Sequence, residues 1–159
     1  TGELGEKKDI LAIMAAHRIP YAASASIAYP EDLKTKIRRA MAIRGTKFIH
    51  ILCPCPTGWR MTQDMTITAA RLAVATGAFP LLEIEGGTRT VVSHRPDERI
   101  PIGEYMKMPG RFRHLTDEMI GAAQRAVDER WERLIAAADE VRRIRRTAVK
   151  TGTGRGSSE

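Results

Sequence analysis

An α/β fold containing a parallel βαβ unit is predicted by three features of the chain. Two short β-prone runs, Tyr21 to Ser26 and Lys47 to Leu52, flank a segment with strong helix signals. A longer helical pattern closes the sequence, with Ile120, Val127, Leu134 and Val141 recurring every seven residues and Trp131 and Ala138 on the same face. With 159 residues the chain fits one domain with a real core.

Taken in order, Ile10, Leu11, Ile13 and Met14 predict a short helix from Lys8 to His17, which Pro20 prevents from continuing. Tyr21 to Ser26 then reads as a strand of small residues. In the next helix Pro30 suits the first position, Glu31 and Asp32 the first turn, and Arg38, Arg39 and Arg44 the negative end of the dipole. Leu33, Ile37, Ala40 and Met41 recur at helical spacing, and Gly45 supplies the stop. Lys47 to Leu52 is an apolar run of the kind found inside a sheet. Strand, helix and strand make a βαβ unit, for which a right-handed parallel crossover is expected. In open parallel sheets ligands gather beyond the carboxyl ends of the strands. The second strand ends in Cys53-Pro54-Cys55-Pro56-Thr57-Gly58-Trp59, which makes this segment the candidate site.

Further on, a helix is predicted from Thr66 to Thr76 and stopped by Gly77. Leu81 to Glu85 and Thr88 to His94 form a hairpin around Gly86-Gly87. A brief helix covers Ile102 to Met108. Thr116 caps the last helix, with Asp117 and Glu118 in its first turn. The domain reading is a body over 1–115, a docking helix over 116–146 and a basic disordered tail over 147–159.

Charge excludes one class of function. Of the formal +7, residues 142–159 hold +5, from Arg142, Arg143, Arg145, Arg146, Lys150 and Arg155 against Glu159, which leaves +2 for the rest. The basicity belongs to the tail. It lacks interleaved aromatics and a binding motif, so nucleic acid is not an expected partner. No apolar run is long enough to span a bilayer and no targeting segment is recognisable, so a cytoplasmic location without a membrane partner is expected.

The two cysteines, Cys53 and Cys55, carry the chemistry the sequence offers. Their spacing is too tight for an unstrained bridge and is not that of a zinc ribbon. The four histidines, His17, His50, His94 and His114, are scattered, so an independent metal site is not expected. Two readings stay open from the residues alone: one thiolate contributed to a shared iron–sulfur cluster, with prolines holding an irregular loop, or an inert cysteine buried at a strand end. A Cys–His nucleophilic pair with His50 is a weaker idea, because strand alternation does not guarantee contact. Asp64, Glu83, Glu85 and Glu104 form no visible acid–base pair and read as solvated surface carboxylates. Gly86-Gly87 is too short for a phosphate loop.

The segments KDILAIMAAHRIPYAASASIAYPEDL, KFIHILCPCPTGW, ITAARLAVATGAFPLLEIE and PIGEYMKMPGRFRHL occur in one order. In that order, over about residues 7–135, the chain resembles the thiamine-diphosphate-binding (beta) subunits of the pyruvate and 2-oxoacid:ferredoxin oxidoreductases, in their C-terminal part. The resemblance implies a parallel-sheet thiamine-diphosphate fold with a long C-terminal helix. It implies a part in oxidative decarboxylation of pyruvate or a related 2-oxo acid to acyl-CoA and CO2, with electrons passing through iron–sulfur clusters to ferredoxin or a similar carrier. It also implies that Cys55 is similar to a ligand of a 4Fe-4S cluster, with Cys53 a neighbour that stands where relatives often have serine. Trp59 and Arg60 pack near the loop with no catalytic role assigned. The Gly-Asp-Gly type of segment that binds thiamine diphosphate and Mg2+ in the family does not occur here, nor do the other cluster cysteines. The implied partners are therefore other subunits, among them a thiamine-diphosphate-binding N-terminal half, and the isolated chain is not expected to be active. The alternative is a non-catalytic assembly module that keeps the fold.

Overall fold

The computed structural model describes residues 8–152. Helix α1 (Ile10–Ala16) leads into strand β1 (Tyr21–Ser26), helix α2 (Pro30–Ala42) and strand β2 (Lys47–Leu52). A single-turn helix α3 (Pro56–Trp59) and a 3-10 turn (Gln63–Met65) precede helix α4 (Thr66–Ala75). The hairpin of β3 (Leu81–Glu85) and β4 (Arg89–His94) follows, then helix α5 (Ile102–Lys107), a second 3-10 turn (Gly110–Phe112) and the long helix α6 (Asp117–Gly152). Both strands of the expected βαβ unit lie where the residue pattern places them. They pair in parallel, with Tyr21 opposite Lys47 and Ser26 opposite Leu52.

The four strands stand in the order β2-β1-β3-β4. The architecture is α/β with a long terminal helix, and the sheet is mixed. It is parallel within the βαβ unit and antiparallel from β1 to β3 and on to β4. All six residues of β1 are buried, which their size explains: Ala22, Ala23, Ala25, Ser24 and Ser26 let helices approach from both sides. On one face Ala22 joins Leu11, Ala15, Ile19, Leu82 and Ile84, with Leu134 of α6 packed against them. On the other face Tyr21 and Ala23 meet Ala40 of α2, flanked by Ile43 and Ile49. Contrary to the reading of Lys47–Leu52 as an interior strand, β2 is the sheet's outer strand and none of its residues is fully buried. Among the described residues its apolar run has a neighbour on one side only.

Polar side chains stitch the layers together. Lys36 of α2 is 1% exposed, yet its ammonium donates to the Ser24 carbonyl (2.7 Å), to Asp32 (2.6 Å) and to the Ser93 hydroxyl of β4 (2.8 Å). All three donors are thereby used. Main-chain pairing between β1 and β3 ends at Ala23 and Glu83. Just beyond, the Ser24 hydroxyl donates to the Pro80 carbonyl (2.7 Å) and accepts the Leu82 N–H (2.9 Å), continuing the join with a side chain. Glu83, read from the sequence as a surface carboxylate, is buried. It accepts from the Tyr21 hydroxyl at 2.6 Å and from Arg39 at 2.7 Å, which satisfies a charge that would otherwise be costly inside the protein. Burial and the Glu83 carboxylate together hold the Tyr21 phenol well above its ordinary range. Glu85 is half-buried and paired with Arg89, whereas Asp64 and Glu104 are exposed as expected.

The hairpin tip conforms to its glycines. Gly86 (φ 59°) and Gly87 (φ 78°) both take the left-handed conformation that such a two-residue turn requires. A Cβ on Gly87 would lie 2.7 Å from the Ala15 carbonyl oxygen, so the tip presses on the end of α1. Thr116 caps α6 by accepting the Met119 N–H at 3.3 Å. Val127, Trp131 and Ala138 of the heptad-spaced face are buried. Arg130 reaches from α6 to donate to the Gly77 and Ala78 carbonyls, both at 2.8 Å, beyond the end of α4. The helix continues through Gly152, six residues past its expected end at residue 146; residues 153–159 of the expected tail lie outside the described residues.

Two predictions follow from this packing. Lys36→Met should lower stability by about 2–4 kcal/mol, since it strands Asp32 and the Ser24 carbonyl. Burial, the largest influence on Lys36, lowers its pKa below the ordinary 10.5. Between that lowered value and 10.5 the unfolded chain binds more protons, so the Lys36 contribution to stability rises with pH. Urea titrations at several alkaline pH values should show that slope in the parent and lose it in Lys36→Met. Gly86→Ala meets open space and should cost about 1 kcal/mol for its positive φ alone. Gly87→Ala adds a steric clash and should cost about 2–3 kcal/mol, read as a larger fall in thermal midpoint.

Candidate functional site

The carboxyl ends of the parallel strands β1 and β2 lie side by side, and the Ile27 N–H donates to the Leu52 carbonyl at 3.2 Å. The chain leaves this end of the sheet through Cys53, Pro54 and Cys55. Pro54 is buried, while Cys53 and Cys55 are free thiols and both are exposed. The reading of Cys55 as an inert buried residue is thus removed. Extended backbone at Cys55 places it at the N-cap of α3, where its Sγ accepts the Gly58 N–H at 3.5 Å. That contact orients the sulfur at the head of α3.

The loop is held from several sides. The Trp59 N–H donates to the Cys55 carbonyl (2.9 Å) and the Met61 N–H to the Pro56 carbonyl (3.0 Å). Arg60 takes the left-handed conformation (φ 55°, ψ 54°), which turns the chain sharply after α3. Its carbonyl accepts the Gly110 N–H at 3.2 Å. A Cβ on Gly110 would sit 2.6 Å from that same oxygen, so only glycine permits the approach. The Arg111 guanidinium lies over the Trp59 ring at 4.7 Å and over Phe112 at 4.9 Å. Tyr105 meets Trp59 and Phe112 edge to face, at 6.3 and 5.6 Å. Thus the segments around Gly58-Trp59 and Gly110-Arg111-Phe112, distant in sequence, form one packed assembly beside the cysteine loop.

Trp59 and Arg60 pack at the loop as the sequence implies. The structural part played by Gly110, Arg111 and Tyr105 was not anticipated; the segment PIGEYMKMPGRFRHL that holds them entered the sequence reading only as one of those carrying the resemblance. The structure does not assemble a Cys–His pair: the ring contacts of His50 are with Phe79 at 5.2 Å and Phe48 at 6.4 Å. Among the described residues no group of three or more His, Cys, Asp or Glu side chains could hold a metal ion. Among the described residues the loop is therefore not a complete metal site; its two exposed thiols are the donors it offers. An open groove elsewhere is lined by Arg95, Asp97, Arg99 and Trp131 and takes no residue from the cysteine loop. No described helix is long and apolar enough to cross a membrane.

No protein-family model matches the chain. Among curated proteins it is 51% identical over 129 residues to the pyruvate synthase subunit PorB of Methanocaldococcus jannaschii, a match that takes in 81% of this chain and 43% of that protein. It is 50% identical over 133 residues to the ketoisovalerate oxidoreductase subunit VorB of Pyrococcus abyssi, covering 83% of this chain and 43% of the relative. With PorB of Thermotoga maritima it shares 38% over 139 residues, 84% of this chain and 43% of the relative. The chain spans less than half the length of these relatives. At such identity over most of its residues, the chain belongs with the PorB and VorB proteins to the beta-subunit family of the 2-oxoacid:ferredoxin oxidoreductases.

Proposed function

We propose that the chain serves within a heteromeric 2-oxoacid:ferredoxin oxidoreductase, where Cys55 supplies one ligand to a 4Fe-4S cluster. The observation that carries this reading is the exposed Cys55 sulfur. It lies at the carboxyl end of a parallel strand pair, oriented by the Gly58 amide, in a loop whose Trp59 packs under Arg111. Such a cluster supplies one-electron transfer, and its remaining ligands come from elsewhere in the complex. The chain's own task is positional: the prolines and the Arg60–Gly110 contact hold the sulfur outward, while Trp59 and Arg111 brace the loop from behind. Cys53 is exposed two residues away and is assigned no ligand role.

The described residues do not make a self-contained Mg2+ site, because no group of three or more His, Cys, Asp or Glu side chains among them could hold a metal ion. We place thiamine diphosphate with its Mg2+ mainly on residues outside this chain and assign no chemical step to it here. The reaction proposed for the assembled complex is oxidative decarboxylation of a 2-oxo acid to an acyl-CoA and CO2, with ferredoxin or a similar carrier taking the electrons. Pyruvate and ketoisovalerate are the substrates that the relatives' names suggest.

In the complete complex, Cys55→Ser should leave the subunits assembled and remove or alter one cluster, with up to about four irons lost per copy. Cys53→Ser should leave iron content and the electron-paramagnetic spectrum unchanged. Normal assembly with unchanged iron and spectrum in Cys55→Ser would reject the ligand role in favour of a non-catalytic assembly module. Gly110→Ala, by pushing on the Arg60 carbonyl, should cost about 2 kcal/mol of stability and shift the cluster's spectrum without abolishing it.

A further inference from the structure

Three arginines meet at Gly110. The Arg60 carbonyl accepts the Gly110 N–H at 3.2 Å, and a Cβ on Gly110 would lie 3.0 Å from the Arg60 Cβ and 3.3 Å from the Arg113 Nε. Arg111, the next residue, lays its guanidinium over the Trp59 ring at 4.7 Å. Arg60 and Arg113 are exposed, and Arg111 is half-buried. None of the three forms an ion pair among the described residues. The two preceding arginines, Arg95 and Arg99, are by contrast held by Asp139 at 3.3 Å and Asp128 at 2.7 Å. Nearby carboxylates do not neutralise the group. Glu104 is taken by Lys107 at 2.9 Å, and no ion pair joins the three to Asp64 or Asp117.

Like charges gathered in one place repel one another, which costs the fold stability unless an anion accompanies them. The same junction carries the cysteine loop: Trp59, against which Arg111 packs, donates its N–H to the Cys55 carbonyl at 2.9 Å. A cluster bound by thiolates is an anion, and taking up one electron makes it more negative. Net charge close by is among the quantities that set such a cluster's reduction potential. We infer that Arg60, Arg111 and Arg113 form the positive field that stabilises the reduced state of the cluster at Cys55 and so raises its potential. This rests on the ligand reading of Cys55 and adds to it a role for three side chains that bind no iron. They act through space, and because a guanidinium does not give up its proton the field is constant with pH. Arg111 alone of the three also packs the loop through its stack on Trp59.

The test is a redox titration of the assembled complex at low salt, followed by electron paramagnetic resonance on the signal that Cys55→Ser removes. At the potential where the parent cluster is half reduced, Arg111→Gln should lower the ratio of reduced to oxidised cluster by about threefold, and Arg113→Gln by about twofold. Arg111→Lys keeps the charge and loses the flat stack, so its ratio should stay near that of the parent. A purely structural role predicts the reverse order, with Arg111→Lys disturbed and Arg113→Gln silent. That order, or an unmoved ratio in both glutamine variants, would overturn the inference and leave the ligand role of Cys55 standing. The Arg113→Gln shift should also shrink in about 0.5 M salt; a shift that persists there in full reports an altered structure and counts against the field. Loss of a partner subunit from Arg113→Gln with the ratio unmoved would assign the arginines to an acidic protein face instead. Where Arg111→Gln fails to assemble, Arg111→Lys and Arg113→Gln decide the matter. If no signal depends on Cys55, the ligand reading falls and this inference falls with it.

Discussion

Inside the protein the Lys36 ammonium is shared among three oxygens from three elements: the Ser24 carbonyl of β1, the Asp32 carboxylate of α2 and the Ser93 hydroxyl of β4. The contact pins α2 across the sheet at the level where the β1–β3 ladder stops. A buried charge contributes only when its geometry is satisfied throughout, which makes it a device for fixing register more than for adding stability. Here it fixes how α2 lies on β1, and α2 in turn sets β2 parallel to β1. The cysteine loop emerges from that pair, so the position of the thiols derives in part from a contact buried between α2 and the sheet.

A second constraint acts locally. The Arg60 carbonyl and the Gly110 amide meet where a side chain on residue 110 would not fit. The Arg111–Trp59 stack then closes the same junction, a contact worth about 0.5–2 kcal/mol depending on its desolvation. Neither segment would hold its conformation unaided, since α3 has four residues and the turn at Gly110 has three.

Much of this was legible in the residues. Local signals are strong where backbone chemistry decides: Pro30 opening α2, Thr116 capping α6, Gly86-Gly87 in the hairpin, and the small-residue run that becomes the buried β1. Whether Cys55 is exposed or buried was left open by the residues, because exposure is a tertiary property that spacing does not encode. Glu83 was misread for a related reason: an acid in Leu-Leu-Glu-Ile-Glu looks solvated until its partners, Tyr21 and Arg39, arrive from other elements. The edge position of β2 was hidden too. Its composition reports how many neighbours the strand is suited to have, while the structure reports how many this chain provides.

The exposed thiols have a consequence for handling. Cys53 and Cys55 are too close in sequence to bridge one another without strain, and each faces solvent. Dioxygen or a small disulfide can therefore reach both sulfurs directly. Purification under reductant keeps the mouth of the sheet free of mixed disulfides between copies, a precaution that follows from where the loop puts its thiols.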